Sequence, residues 1–292
     1  MIMDMNIAMS GATGFIGSHL TGAFREKGWT VAPLLRDDFK GEVVSLTEKI
    51  GAADVVVNLA GASIATKWTD QYKKIIYHSR IDTTRKIVDA MKKSGKRAGL
   101  FISTSAVGIY DTKGTYAEAD EHYASDFLGR LTLDWEQAAL AARDAGIRTV
   151  IFRFGLVLGR GGGVLAKMLS PFKLGLGGVI GDGTQPVSWI HIDDLTNAFL
   201  QVMENEVFAG TFNLTSPTPS TNRGLAEALG HALHMPVVLR IPSFVLHLQF
   251  GEGAKVLLEG QRVLPMRLLQ SGFTFRFTEI EKAVENLVKG GD

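Results

Sequence analysis

Eight residues near the start, Ser10–Gly17 or "SGATGFIG", constrain the fold more than any other stretch. They lie between an apolar strand-like run, "NIAMSG" (Asn6–Gly11), and a helix-like run that ends near Gly28. Gly11, Gly14 and Gly17 recur at every third position. At a strand-to-helix junction each has a use. Gly11 permits the tight turn, Gly14 lets a ligand phosphate approach the backbone, and Gly17 lets helix and strand pack closely. The first helical turn then offers unpaired N–H groups and partial positive charge. A glycine trio alone carries little weight; its position between strand and helix gives it meaning. A bare turn without a ligand would not call for three.

The elements that follow continue the pattern. "TVAPLL" (Thr30–Leu35) reads as a second strand, and "DVVVNLA" (Asp54–Ala60) as a third. The valine run is continuous rather than alternating, as expected where both faces of a parallel strand are buried. A long helix from Trp68 to Lys93 follows, then "LFISTS" (Leu100–Ser105), a helix around Leu128–Ala145 and "RTVIFRF" (Arg148–Phe154). This β-α-β-α order predicts an α/β fold, a Rossmann-type doubly wound parallel sheet. After Gly155 glycine becomes dense and strands sparse, which implies a smaller, mostly C-terminal substrate-binding cap. The expected division is a nucleotide-binding core over 1–160, then a mixed region over 161–292. That region returns to the core at about 187–215, with "VSWIHIDDL" (Val187–Leu195) re-entering the sheet and starting a helix. "LGLGGVIGDG" (Leu174–Gly183) reads as a glycine-hinged lid or as a plain surface loop.

Composition narrows the function classes. The chain has 292 residues and a formal net charge of +1, which argues against general nucleic-acid or membrane-surface binding. The cluster Lys92, Lys93, Lys96 and Arg97 reads as a solvated helix end, where cations suit the helix dipole. With no cysteine, thiolate nucleophiles, disulfides and thiolate metal sites are excluded. The histidines are dispersed, and the close pair His231 and His234 lacks further ligands, so no metal is expected. "MIMDMNIAMSG" reads as a first strand rather than a signal peptide, and no run is long enough to span a bilayer. The expectation is a soluble, cytoplasmic protein.

The end of the second strand selects the nucleotide. NAD sites usually place an acid there to bind the ribose 2′-hydroxyl. This chain has "LLRDD", with Arg36 first after the apolar run, and a guanidinium can pair with the 2′-phosphate of NADP. Asp37 would be the ribose acceptor in a register shifted by one.

"GATGFIG", "NLAG" (Asn58–Gly61), "STSAVGIY" and "SWIHIDDL" together resemble the extended short-chain dehydrogenase/reductases of the NAD(P)-dependent epimerase/dehydratase type. "GGGVLAKMLSPFKLGLGG" and "GQRVLPMRLLQSGF" resemble an atypical, nucleoside-diphosphate-sugar epimerase-like branch. The likeness covers nearly the whole chain. It implies an NADP(H) cofactor held by Gly11, Thr13, Gly14, Phe15, Ile16 and Gly17, with Arg36 at the ribose phosphate. It places Leu59, Ala60 and Gly61 beside the cofactor's middle; a simple strand end is the other reading. Ser103 and Ser105 would end the strand facing the nicotinamide, and Ser105 matches the catalytic serine or threonine. A strand-ending hydroxyl bonded to nearby backbone is the alternative for Ser105. "RFGLVLG" (Arg153–Gly159) resembles the segment passing the carboxamide, and Arg80, which stands where many relatives carry an asparagine, would approach the active site as a cofactor contact, as would Arg153. An ordinary solvated arginine fits Arg80 as well.

One departure matters. The superfamily's proton chemistry uses a Tyr-x-x-x-Lys pair on one helix face, the ammonium favouring tyrosinate. None of Tyr72, Tyr77, Tyr110, Tyr116 and Tyr123 has a lysine four residues on, and the register of Glu136 puts Phe127 or Leu128 at the tyrosine position. Three readings remain. Tyr110 serves as a displaced proton donor helped by Ser105, or it is a packed aromatic. Glu118, Asp120 or Glu121, near Lys113, supplies the acid/base from a mobile loop. Or the protein binds NADP(H) without turnover, as a sensor or regulator. Trp68, Trp189, Gln261 and Arg262 are further ligand-contact candidates, and Gly161–Gly163 either covers the cofactor or starts the next helix. In "VSWIHIDDL", Asp193 or Asp194 is the expected helix cap. The leading expectation is an NADP(H)-dependent oxidoreductase acting on an unidentified small carbonyl or sugar-derived substrate, and the resemblance implies a homodimer formed through the long helices around Trp68–Lys93 and Leu128–Ala145. Sugar-nucleotide epimerisation ranks below, because it needs an effective base.

Overall fold

Six apolar segments pair in parallel to form the centre of the molecule. A computed structural model describes residues 4–40, 44–95 and 98–290; Met1–Met3, Lys96 and Arg97 lie outside them. The strands are β1 (Asn6–Ser10), β2 (Thr30–Leu34), β3 (Val55–Asn58), β4 (Leu100–Ala106), β5 (Arg148–Phe154) and β6 (Gly210–Leu214). Their spatial order is β6-β5-β4-β3-β1-β2. The winding direction therefore reverses between β1 and β3, and their carboxyl ends flank the crevice where doubly wound sheets bind ligands.

Side-chain parity explains the continuous apolar runs. Ile7, Met9, Val55, Val57, Leu100, Ile102, Val150 and Phe152 face one core, against α1 (Phe15–Glu26) and α6 (Ile192–Glu204). The intervening Ala8, Val56, Phe101 and Ile151 face a second core, with α2 (Val44–Gly51), α3 (Asp70–Lys93) and α4 (Phe127–Leu140). Because both faces are covered, the inner strands carry apolar residues at consecutive positions rather than at every second one. Side chains set the helix starts: Thr69 accepts the Tyr72 N–H at 3.1 Å, and Asp126 accepts the Gly129 N–H at 2.9 Å.

The re-entry into the sheet differs from the sequence expectation. The returning strand is β6, whereas Trp189–His191 pairs with Leu156–Leu158 in a separate two-stranded sheet. The helix after it is capped by His191, whose Nδ1 accepts the Asp193 N–H at 3.1 Å, not by Asp193 or Asp194. Asp194 instead accepts the N–H groups of Arg276 and Phe277, at 2.7 and 2.9 Å. "LGLGGVIGDG" is pinned rather than hinged, since Gly178–Ile180 pairs with Leu239–Ile241.

The later part of the chain builds its own core. Helices α5 (Gly163–Lys173), α7 (Asn222–Leu233) and α9 (Ile280–Lys289) pack Leu165, Phe172, Leu225, Leu229, Val284 and Leu287 around the fully buried Trp189. Between α7 and α9, α8 (Ser243–Phe250) leaves Phe244 and Leu248 exposed. Arg262–Val263 pairs with Thr115–Tyr116, fastening the C-terminal segment to the loop after β4.

Candidate functional site

The glycine turn sits where β1 meets α1, and its three glycines have different local reasons. Gly11 has φ +70°, and a Cβ there would stand 3.0 Å from the Leu59 carbonyl, so both conformation and contact require glycine. A Cβ on Gly17 would lie 2.1 Å from the Gly11 carbonyl oxygen; this glycine lets helix and turn touch. A Cβ on Gly14 would meet only that same oxygen, at 3.2 Å, and otherwise open space. Thr13 and Gly14 are exposed, and Gly14, the N-cap of α1, supplies no side-chain acceptor to the first turn. A cradle with free N–H groups and open space above it fits a phosphate group. The Phe15 ring is walled by Gly159, Gly162 and Gly163, each of which would drive a Cβ into it. The glycine loop therefore closes over the first residue of α1, and Gly162 also serves as N-cap of α5. Ile16 is half-buried against the core.

On the α3/α4 side, the strands end in polar residues that join into a buried layer. The Ser10 hydroxyl donates to Asn58 Oδ1 at 2.7 Å, and Asn58 Nδ2 donates to Thr84 Oγ1 at 2.8 Å. The N–H groups of Leu59 and Ala60 donate to Ser10 Oγ at 3.2 and 3.3 Å, which shapes the backbone running out of β3. One strand further, the Ser105 hydroxyl donates to Glu136 Oε1 at 2.5 Å. Arg153 binds Glu136 through Nε and Nη2, both at 2.8 Å, and donates through Nη1 to the Tyr110 hydroxyl at 2.6 Å. Burial works to lower the Arg153 pKa, but the hydrogen bonds and charge of Glu136, then Tyr110, outweigh it and raise it. Burial pushes the Tyr110 phenol up against the opposing pull of Arg153. Glu136, Thr84, Asn58 and Asn213 had no functional role in the sequence reading; the one signal was a polar residue closing each apolar strand.

This layer revises several expectations. Tyr110 is 0% exposed; its hydroxyl donates to the Ala117 carbonyl at 2.9 Å, has Asn213 Oδ1 at 3.2 Å, and accepts from Arg153. Stacked on Tyr116 at 5.4 Å, it has no free side for a substrate. Arg153 is 4% exposed and directed to Glu136 and Tyr110, so it braces the fold instead of reaching a cofactor. Ser103 is 0% exposed, inside the strand. Ser105 is 3% exposed, and its hydroxyl reaches a ligand only by leaving Glu136. Glu118 and Asp120 are built into the fold rather than mobile: Glu118 accepts the N–H groups of Asn213 and Arg267, and Asp120 that of Ala117. Trp68 and Trp189 are buried, their indole N–H groups donating to the Ile64 and Thr218 carbonyls. Arg262 is exposed and Gln261 half-buried.

The cationic residues at the crevice fare differently. Arg36 is exposed, just past β2, and has no acidic partner among the described residues. Asp37 pairs with Lys40 at 2.9 Å, and Asp38 with Lys49 at 2.8 Å. Arg80 lies half-buried against Gly61. Lys255, from the C-terminal part of the chain, stands 2.6 Å from Asp126 at the start of α4.

Sheet order, glycine cradle and crevice define a Rossmann-type, nucleotide-binding α/β protein. The model of the NAD dependent epimerase/dehydratase family matches residues 7–214, and that of a domain of unknown function, DUF1731, matches residues 241–287. The chain belongs to the NAD-dependent epimerase/dehydratase family. It is 36% identical over 298 residues to the epimerase family protein YfhF of Bacillus subtilis, covering 97% of this chain and 98% of that one. It is 37% identical to the mouse epimerase family protein SDR39U1, covering 97% and 100%. The crystal structure of human SDR39U1 (isoform 2) with NADPH superposes with a TM-score of 0.88 at 32% identity, covering 98% of this chain and 100% of that one. Thermus thermophilus UDP-glucose 4-epimerase, solved with NAD, shares the fold with a TM-score of 0.78 at 18% identity, covering 98% and 100%.

Proposed function

We propose that the protein is an NADP(H)-dependent oxidoreductase that reduces a small carbonyl or sugar-derived substrate. The observation that carries this reading is the pairing of an open, uncapped cradle at Gly11–Gly17 with an exposed Arg36, just past β2, that has no acidic partner among the described residues. The NADPH in the related human structure supports the same choice of nucleotide. Gly11, Thr13, Gly14 and the N–H groups of Phe15 and Ile16 would hold the pyrophosphate, and Arg36 the 2′-phosphate. Leu59, Ala60 and Gly61 would line its middle. When bound, the nicotinamide supplies the hydride. Ser105 swings from Glu136 to hydrogen-bond the carbonyl oxygen, and solvent supplies the proton that completes the alcohol. Glu136, Arg153 and Tyr110 act through Ser105 as positioning residues. A raised phenol pKa and the lack of a tyrosine-lysine pair disfavour the reverse oxidation and, with it, epimerisation.

A second reading has its own support. Ser105 and Tyr110 are both buried and engaged, as in a protein that binds NADP(H) without turnover. NADPH oxidation followed at 340 nm across a panel of aldehydes, ketones and keto sugars, with NADH in parallel, separates the two. Turnover that prefers NADPH is expected. Tight NADPH binding with no turnover on any carbonyl would overturn the enzyme reading in favour of the regulator. Homodimerisation through α3 and α4 belongs to the same proposal, supported by the exposed apolar Ile75 and Leu133 on those helices.

A further inference from the structure

Three other arginines drawn out of water are satisfied. Arg153 has Glu136 and Tyr110; Arg148 donates to the carbonyls of Val202, Asn205 and Phe208; Arg267 donates to those of Thr211 and Ala209. Arg80 is different. Its guanidinium donates one hydrogen bond, from Nη1 to the Ile76 carbonyl at 3.2 Å, and has no acidic partner among the described residues. A guanidinium carries five N–H donors, so most of this one stays unmatched while its charge is partly withdrawn from water.

The surroundings hold it in place. Its Cζ lies 5.3 Å from the centre of the Trp135 ring, a cation–π seat on α4. On the other side a Cβ at Gly61 would come within 2.9 Å of Cζ and 3.0 Å of Nη2. Gly61 has an ordinary φ, and the Arg80 guanidinium lies directly on it. Gly61 is itself exposed and follows β3, one of the two strands that flank the crevice, so Arg80 lies against the chain leaving that strand. A sequence of contacts gives its place along the site. Leu59 touches Gly11 of the cradle, Gly61 touches Arg80, Arg80 touches Trp135, and the neighbouring Glu136 binds Ser105. Arg80 thus lies between the chain leaving β3 and α4, the helix that also carries Glu136. Packing on Trp135 alone explains the stem, but not a half-buried charge beside an exposed glycine with no acidic partner among the described residues.

We propose that Arg80 recognises an anionic group of the substrate, a phosphate or carboxylate, which docks on its free N–H edge beside Gly61. This rests on the crevice being an NADP(H) site, and two sources of anion are to be separated: the substrate and the cofactor's own pyrophosphate. The protein saturated with NADP⁺ is titrated calorimetrically with inorganic phosphate, and NADP⁺ affinity is measured separately. Wild type, Arg80→Gln, Arg80→Lys and Arg80→Met are compared, the last keeping an apolar stem over Trp135. Thermal melting verifies that each variant is folded. One phosphate bound per chain at millimolar strength is expected in the wild type. Gln and Met should weaken it at least tenfold and Lys less, with NADP⁺ affinity changed by under threefold. No phosphate binding to the NADP⁺-saturated wild type, or equal binding by Arg80→Gln, overturns the proposal. A tenfold loss of NADP⁺ affinity in Arg80→Gln reassigns the guanidinium to the cofactor, and also overturns it. Failure of the wild type to bind NADP⁺ removes the underlying reading, and the proposal with it.

Discussion

At Glu136 three donors from two strands converge: the Ser105 hydroxyl at 2.5 Å, Arg153 Nε at 2.8 Å and Arg153 Nη2 at 2.8 Å. The carboxylate is 8% exposed and the arginine 4%, so the pair lies where desolvation is costly and geometry decides the outcome. Glu136→Gln keeps the shape but leaves the guanidinium buried without its counter-charge. The expected loss of stability is about 3–5 kcal/mol, typical of breaking a buried pair from one side. Urea unfolding followed by far-UV circular dichroism measures it. A loss below about 1 kcal/mol would mean that the pair behaves like an exposed ion pair. None of this convergence was legible in the sequence. Glu136 is 31 residues from Ser105 and 17 from Arg153. What joins them is strand parity: position 105 of β4 and position 153 of β5 are directly paired and point to the same face, under α4. One residue's slip in either strand would separate them.

The turn from β1 into α1 allows a sharper test of what its glycines do. Gly17→Ala would put a methyl group 2.1 Å from the Gly11 oxygen, forcing helix and turn apart. A cost of about 1–3 kcal/mol is expected, as for other overpacked sites. Gly14→Ala meets only that oxygen, at 3.2 Å, and replaces an N-cap glycine of extended backbone. Its stability should fall by less than about 1 kcal/mol. NADPH binding, read by the fluorescence of the nicotinamide, should nevertheless weaken at least tenfold, because the methyl occupies the phosphate's approach. If Gly14→Ala bound NADPH like the wild type, the cradle would be a structural turn only. At this scale the sequence was informative, since turn, strand and helix signals are local and follow one another without a break from Asn6 to Glu26. The re-entry of the chain was not. "SWIHIDDL" has the apolar run of a sheet strand, yet β6, the less apolar "GTFNL", takes the edge beside β5. Local propensity cannot tell which of two short strands finds the longer partner.

Across the whole molecule, the sheet and the later helices are joined at a buried histidine. His191 ends the strand paired with Leu156–Leu158, caps α6 and stacks on Phe277 with ring centres 3.9 Å apart, just ahead of α9. Because Nδ1 accepts the Asp193 N–H, the neutral ring carries its proton on Nε2, which makes no hydrogen bond among the described residues. Burial pulls its pKa from 6.5 down to about 4, with Asp193 and the Asn286 side chain opposing the shift and Arg276 and His19 reinforcing it. The unfolded chain therefore takes up a proton that the folded protein refuses. The stabilisation is complete above about pH 6.5 and is lost as pH falls towards 4, by about 3 kcal/mol in all. Asp194, whose pKa burial raises, acts with the opposite sign, favouring the folded state once it is protonated. Asp193, lowered by His19, loses its contribution only below the ordinary carboxylate pKa of 3.8, outside the histidine's window. His191→Asn keeps an acceptor for the cap and removes the titration. Urea midpoints at pH 7, 6 and 5 should fall steeply for the wild type. For His191→Asn they should start lower and change much less. Parallel curves would place the acid sensitivity elsewhere and leave His191 as a packing residue alone.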